Sequence, residues 1–276
     1  MGKSQNLNPK LFRFKVPSVR VEKGRYDFIL QRCQGKRVLH LGCVDEGLIQ
    51  RRLGLGTLLH SELEKVAKEV WGVDRSNEGI EVLRAHCKGK LFVGDVERLQ
   101  EIKELEGEKF DVIVASELIE HVNNAGAFLQ SARSLFAPHT VMILTTPNAF
   151  RLTEILHSLL GYEYVHPDHN YWFSWKTLST LLEKHGYRLC ESAVYSYGVF
   201  NWATFLRELQ KLAAGIGGKN IKGDPEDESS AHILKTFAML LMFPIRLVLY
   251  ACNPFFADGL LFVVEKTEQS GITRYS

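Results

Sequence analysis

Short, continuously apolar runs alternate with longer amphipathic ones along most of the chain. The first strong run is Arg37-Val-Leu-His-Leu-Gly42. Trp71-Gly-Val-Asp74, Lys90-Leu-Phe-Val-Gly-Asp95, Phe110-Asp-Val-Ile-Val-Ala115 and Thr140-Val-Met-Ile-Leu-Thr145 follow, then Leu189 to Tyr197 and Gly259 to Glu265. Between them the spacing predicts helices over Tyr26–Cys33, from about Leu58 to Glu69, and over Asn77–Cys87, Ala127–Phe136 and Trp175–His185. Ser174 is the natural N-cap of the last, and Gly186 ends it. Strands that are apolar throughout are buried on both faces. The pattern therefore predicts an α/β, doubly wound, mostly parallel sheet with helices on either side, forming one domain. In such a sheet, ligands gather at the carboxyl ends of the strands.

Two stretches stand apart. Residues 1–24 read as a polar, basic arm. About 60 residues separate the last two strands, far more than an ordinary connection, and residues 201–257 read as a helical insertion. Within it, Asn201–Ala213 is amphipathic, residues 214–230 are glycine-rich and charged, and Ala231–Tyr250 is a very apolar helix that Pro244 should kink. The stretch from Phe237 to Ala251 is broken by Pro244 and Arg246 and is too short to span a bilayer comfortably. Core packing is its simplest use; a lid, a dimer interface and peripheral membrane contact are the others open to it.

Composition narrows the classes. In 276 residues, 45% are hydrophobic and the formal charge is +2, which excludes wholesale disorder and argues against a general nucleic-acid surface. The five cysteines are scattered without a C-x-x-C pair, which argues against a disulfide scaffold or a cysteine zinc site. With no apolar h-region at the N-terminus, a reducing, cytoplasmic setting is expected.

Candidate chemistry lies at successive strand ends. Gly42 lets the backbone turn sharply and approach a ligand with no Cβ in the way. Asp74, with Arg75 beside it, closes the second strand, where a carboxylate can accept both hydroxyls of a ribose. At the third tip, Asp95 can accept from an exocyclic amine and the Val96 amide can donate to a ring nitrogen. Ser116 begins the loop after the fourth strand. These residues resemble the class I S-adenosylmethionine-dependent methyltransferases, in the broad methyltransferase-domain group that includes ubiquinone-type and glycan O-methyltransferases. The resemblance covers about residues 25–197 and the last strand. It implies a seven-stranded sheet with one antiparallel strand and S-adenosylmethionine across the strand tips. Gly42 and Cys43 would then contact its methionine portion, Asp74 its ribose, and Asp95 with Val96 its adenine. The first motif departs from the family's acid-x-Gly-x-Gly-x-Gly: His40 replaces the acid, and Val44 and Glu46 replace two glycines. His40 and Asp45 are both candidates for the methionine amino group.

Two further clusters lie where the acceptor would enter. Glu117-x-x-Glu120-His121 follows the fourth strand, and a spacing of three predicts both glutamates on one helical face. His166-Pro-Asp-His169 lies after the fifth strand, before Tyr171-Trp-Phe-Ser-Trp175. His121, His166 or His169 could serve as a general base near neutral pH, or carboxylates and imidazoles together could hold a divalent ion. With Thr146-Pro-Asn148, the pattern is similar to that of metal-dependent small-RNA 3′-terminal 2′-O-methyltransferases. That likeness implies Glu117, Glu120, His121 and His169 as metal ligands. The leading expectation is methyl transfer to a hydroxyl of a small molecule, sugar or glycan-lipid precursor. The alternatives are the RNA reaction, which the near-neutral charge disfavours, and a cofactor-binding interaction protein without catalysis.

Overall fold

The computed structural model describes residues 14–22, 24–45, 47–196 and 253–267. In chain order the elements are β1 (Arg20–Glu22), α1 (Arg25–Cys33), β2 (Arg37–Leu41), α2 (Ile49–Leu55), α3 (Leu59–Val66) and β3 (Glu69–Asp74). Next come α4 (Asn77–Arg84), β4 (Lys90–Val93), β5 (Val112–Ser116), α5 (Ala125–Arg133) and β6 (Val141–Pro147). Finally come α6 (Leu152–Leu159), α7 (Trp175–Lys184), β7 (Tyr187–Tyr195) and β8 (Gly259–Lys266). Short 3₁₀ turns occupy Val96–Glu101, Lys103–Leu105 and Pro254–Phe256.

The strands form one sheet in the order β1-β7-β8-β6-β5-β2-β3-β4. Every pairing is parallel except the two made by β8, which runs antiparallel between β6 and β7. The α/β doubly wound reading therefore holds, with eight strands where seven were expected. The added strand is β1, inside the stretch read as an arm. It pairs parallel with β7 through Arg20–Glu22 opposite Ala193–Tyr195. Three residues carry too little periodicity to announce a strand; only the neighbouring edge defines it. The chain winds outward from β2 to β4, then returns to β5 at the sheet centre. The crevice of an open sheet forms at this reversal, between β2 and β5.

Alternate residues face opposite layers, as a period of two requires. Leu39, Leu41, Trp71, Val73, Ile113 and Ala115 pack with Phe128 and Leu129 of α5 and Leu178 and Leu182 of α7. Val38, Val70, Val112 and Val114 pack with Phe28 and Ile29 of α1 and Leu59 and Leu63 of α3. Ile80 and Leu83 of α4 close a third cluster with Cys43, Cys87 and Leu91.

The stretch from Gly47 to Gly56 contains α2, which ends at Gly56 in the left-handed region. Two local expectations are corrected. The next helix stops at Val66, and Glu69 opens β3. The chain after β5 is not helical: Glu117 has φ 53°, and α5 begins only at Ala125, capped by Asn124. The helices expected within 201–257 lie outside the described residues, apart from the turn at Pro254–Phe256. No described helix is long and apolar enough to cross a membrane.

Candidate active site

The tips of β2, β3, β4 and β5 enclose a cleft of about 820 Å³. It is lined by His40, Gly42, Cys43, Asp45, Asp74, Arg75, Asp95, Val96 and Ser116, and also by Glu117, His121, His166 and His169. The topology places β2 between β3 and β5, so residues scattered over 130 positions meet at one place.

The loop after β2 is strapped to the tip of β3. Gly42 N and Cys43 N donate to Val73 O at 2.9 and 3.3 Å, and Val44 N donates to Asp74 Oδ2 at 2.8 Å. Asp74 Oδ1 accepts from Ser76 N at 3.0 Å, so the buried carboxylate is fixed at the cleft wall. Gly42 has φ 69°, and a Cβ there would lie 2.8 Å from Leu118 Cδ1. Its missing side chain keeps the floor of the cleft open. Asp95 caps the following 3₁₀ turn by accepting from Glu97 N at 2.9 Å and keeps half its side chain in solvent.

His40 and Asp45 differ sharply. The His40 ring is buried and stacked on His60, with the two Nδ1 atoms 3.3 Å apart. Burial, and then the neighbouring His60, hold its pKa well below the usual imidazole range. Asp45 is partly exposed and pairs with Arg52 Nη1 at 2.5 Å. Arg52 also donates to Tyr26 Oη at 2.8 Å.

The E-x-x-E-H segment separates into distinct environments. Glu117 Oε2 pairs with Arg25 Nη1 at 3.2 Å, while Oε1 accepts from Thr145 Oγ1 at 3.1 Å and from the Tyr195 hydroxyl. Glu120 is buried; its Oε2 accepts from Thr146 Oγ1 at 2.9 Å, and Oε1 has no partner among the described residues. Burial, and then the Glu117 charge, push its pKa well above the carboxylate range. The three histidines do converge. His121, His166 and His169 offer ring nitrogens within 4.8 Å of one another, with ring centroids 4.6–5.7 Å apart. The two glutamates lie outside this group, so the implied four-ligand set of Glu117, Glu120, His121 and His169 does not come together; His166 joins instead.

The loop carrying His166 and His169 is sewn to the His121 turn. Asn170 N donates to Glu120 O at 2.7 Å, and its side-chain amide donates to His121 O and Val122 O, both at 3.2 Å. Burial, and then His166, lower the His121 pKa. Burial, and then His121, lower that of His169 to about 4. His169 Nδ1 is buried with no hydrogen-bond partner among the described residues.

Sequence reasoning passed over Arg25, Tyr26, Tyr195 and Thr145. Arg25 and Tyr26 open α1 and line the cleft, yet nothing local distinguishes them from a surface helix start. The T-P-N motif also has a use the sequence did not reveal. Thr146 holds Glu120, and the Asn148 amide donates to Phe255 O at 2.6 Å and Ala257 O at 3.0 Å, docking the entry to β8.

Known proteins match this architecture. The chain is 32% identical over 151 residues to a ubiquinone biosynthesis O-methyltransferase of Histophilus somni, covering 51% of this chain and 58% of that protein. The counterpart in Actinobacillus pleuropneumoniae serotype 7 is 29% identical over 150 residues, covering 51% and 59%. The chain thus spans less than two thirds of the length of these relatives. Among solved structures, a SAM-dependent methyltransferase from Archaeoglobus fulgidus aligns with TM-score 0.51 at 15% identity, over 88% of this chain and 91% of that one. An S-adenosylmethionine-dependent methyltransferase from Clostridium acetobutylicum aligns with TM-score 0.50 at 12% identity, over the same 88% and 91%. At such identities these two establish the fold. The family profile described as "Methyltransferase domain" matches residues 27–192, well over half of the chain. This chain belongs to the methyltransferase-domain family.

Proposed function

We propose that this chain binds S-adenosylmethionine in the cleft at the β2–β5 tips and transfers its methyl group to a hydroxyl of a small organic acceptor. The observation that carries the reading is the convergence of nine residues expected from strand ends on one cleft, with three histidines at the β5 side. The residues fit the cofactor. Gly42 leaves space that a Cβ would fill, and a fixed carboxylate, Asp74, stands at the β3 tip. The curated relatives are named O-methyltransferases, which favours an oxygen acceptor.

The bound cofactor supplies an electrophilic methyl on a sulfonium. Asp74, fixed at the β3 tip by the Val44 and Ser76 amides, accepts the ribose hydroxyls. Asp95 and the Val96 amide meet the adenine edge. Asp45 is better suited than His40 to the methionine ammonium, because the buried His40 ring is neutral and turned to His60. At the other end, the acceptor hydroxyl must be held in line and lose its proton. His121 follows directly on the β5 tip and is held neutral at pH 7, so its ring has a lone pair to receive that proton. His169 and His166 confine it.

Calorimetry with S-adenosylmethionine should give binding that Asp74→Ala weakens by at least about tenfold, the equivalent of one lost charge-assisted hydrogen bond. His121→Asn should lower kcat by about 10²–10⁴ while cofactor affinity is kept. Equal cofactor affinity in Asp74→Ala, or an unchanged kcat in His121→Asn, overturns the respective assignment.

The same three histidines favour a second reading. Their nitrogens lie close enough to share a divalent ion, and His169 Nδ1 is buried without a partner. An imidazole set suits a transition metal, which when bound would polarise the acceptor oxygen. Mn²⁺ titration of the parent and of His166→Ala separates the readings: metal-independent turnover retains His121 as base. The four-ligand set of the RNA 2′-O-methyltransferases would need Glu117 and Glu120. Glu117 is engaged with Arg25 and Tyr195, and neither glutamate falls within the three-histidine group.

A further inference from the structure

A second cluster of side chains able to ligate a metal lies on the α3 and α4 side of the sheet; of its members, only His60 has been met above, as the partner of His40. His60 and Glu64 are four residues apart on α3 and so share one helix face. Cys87 sits in the turn after α4, its amide donating to Leu83 O at 2.7 Å. A ring nitrogen of His60, a carboxylate oxygen of Glu64 and Cys87 Sγ all lie within 4.8 Å of one another.

The arrangement is fixed from several sides. Glu64 Oε1 accepts from Lys88 N at 2.8 Å and Gly89 N at 2.6 Å, which clamps the turn to α3. Gly89 permits this approach; a Cβ there would fall 2.2 Å from Val70 O. Ser61 Oγ lies 3.5 Å from Cys87 Sγ. His60 is fully buried, with Nδ1 facing His40 Nδ1 and Nε2 lacking any hydrogen-bond partner among the described residues. Buried polar atoms are nearly always satisfied, so an orphaned imidazole nitrogen beside a thiol and a carboxylate calls for a ligand.

Against the expectation from cysteine spacing, we infer that His60, Glu64 and Cys87 form a site for a zinc-class divalent cation, with water in the fourth position, which ties α3 to the α4–β4 turn. The donor set of one nitrogen, one oxygen and one sulfur matches zinc in type and number. A thiolate and a carboxylate together carry two negative charges, which balance a dication. Binding releases the Cys87 thiol proton to solvent. It also settles a proton placement: with Nε2 on the ion, the ring hydrogen resides on Nδ1 and is donated to His40, which lines the cleft. The site thus stands independently of the methyl-transfer reading and touches the cleft through one hydrogen bond.

The test uses the full chain, stripped with a chelator and titrated with Co²⁺. The expected result is one equivalent showing tetrahedral d–d absorption and a sulfur-to-cobalt charge-transfer band, both displaced by Zn²⁺. The three-histidine cluster has no sulfur and cannot produce that band. Cys87→Ser should abolish it with an unchanged circular dichroism spectrum. No band in the parent, or a band that survives in Cys87→Ser, overturns the site. Should Cys87→Ser fail to fold, Glu64→Gln takes its place: cobalt affinity should fall at least about tenfold, and unchanged affinity overturns the site.

Discussion

Tyr195 lies directly opposite Gly259 where β7 meets β8, and its ring occupies the space a side chain at Gly259 would need. A Cβ at 259 would come 2.1 Å from Tyr195 Cζ. The ring cannot easily retreat, since it is buried and its hydroxyl is donated to Glu117 at the cleft wall. Gly259→Ala should therefore destabilise the fold by about 1–3 kcal/mol through overpacking. Thermal melting checks this, and the loss should shrink in a Tyr195→Val background, where the two sites are coupled. An additive pair would refute the contact.

Gly42 makes a different demand. Its φ of 69° and the 2.8 Å approach of Leu118 both oppose a side chain. Gly42→Ala should cost about 1–2 kcal/mol in backbone strain, and it narrows the cleft floor. Cofactor affinity measured by calorimetry should drop along with stability; a variant that melts early yet binds as tightly as the parent would show that Gly42 serves the turn alone.

Glu120 predicts a pH effect. Its folded pKa is raised, above all by burial, so the folded chain favours the neutral acid. The sign follows: this contribution is complete below the unfolded value of about 4.3 and is lost as pH rises through the folded value. Glu120→Gln, which is neutral at every pH, should flatten that decline and gain on the parent at alkaline pH. Urea denaturation from pH 4 upward checks it: the parent should lose stability relative to the variant as pH rises. A parallel pH dependence in both proteins would refute the assignment.

Asn148 should prove structural. Asn148→Ala leaves Phe255 O and Ala257 O without their donor, costing about 2–4 kcal/mol for two buried acceptors. Asn148→Asp should be worse, because it turns a carboxylate toward two carbonyls. Urea midpoints rank the pair; a milder effect for aspartate would contradict the geometry.

What could be read from the chain alone follows from range. The buried strands were legible because apolar runs such as Val112–Ala115 have no other stable place, and their order put Asp74, Asp95 and Ser116 at neighbouring tips. The E-x-x-E-H spacing misled, since a three-residue interval suits a helix equally well until Glu117 takes a positive φ. That conformation is imposed by Thr145, whose backbone and hydroxyl oxygens both accept from Glu117 N, and nothing within the segment signals it. Arg25 and Tyr195 escaped notice for the same reason: their partner, Glu117, is about 80 residues or more away in the chain. The regrouping of His166 with His121 depends on Asn170, whose sequence gives no hint that it staples two loops.

The antiparallel placement of β8 has a consequence for how such a chain can diversify. Because Tyr195 and Gly259 face each other, the excursion between them leaves and rejoins the sheet at adjacent points. Loop closure grows only logarithmically with length, about 0.6 kcal/mol per doubling. A change in the length of that excursion therefore costs little in closure, and Tyr195, at its point of departure, already touches Glu117. On the proposed function, change at this junction reaches the acceptor side of the cleft and leaves the β2–β4 tips as they are.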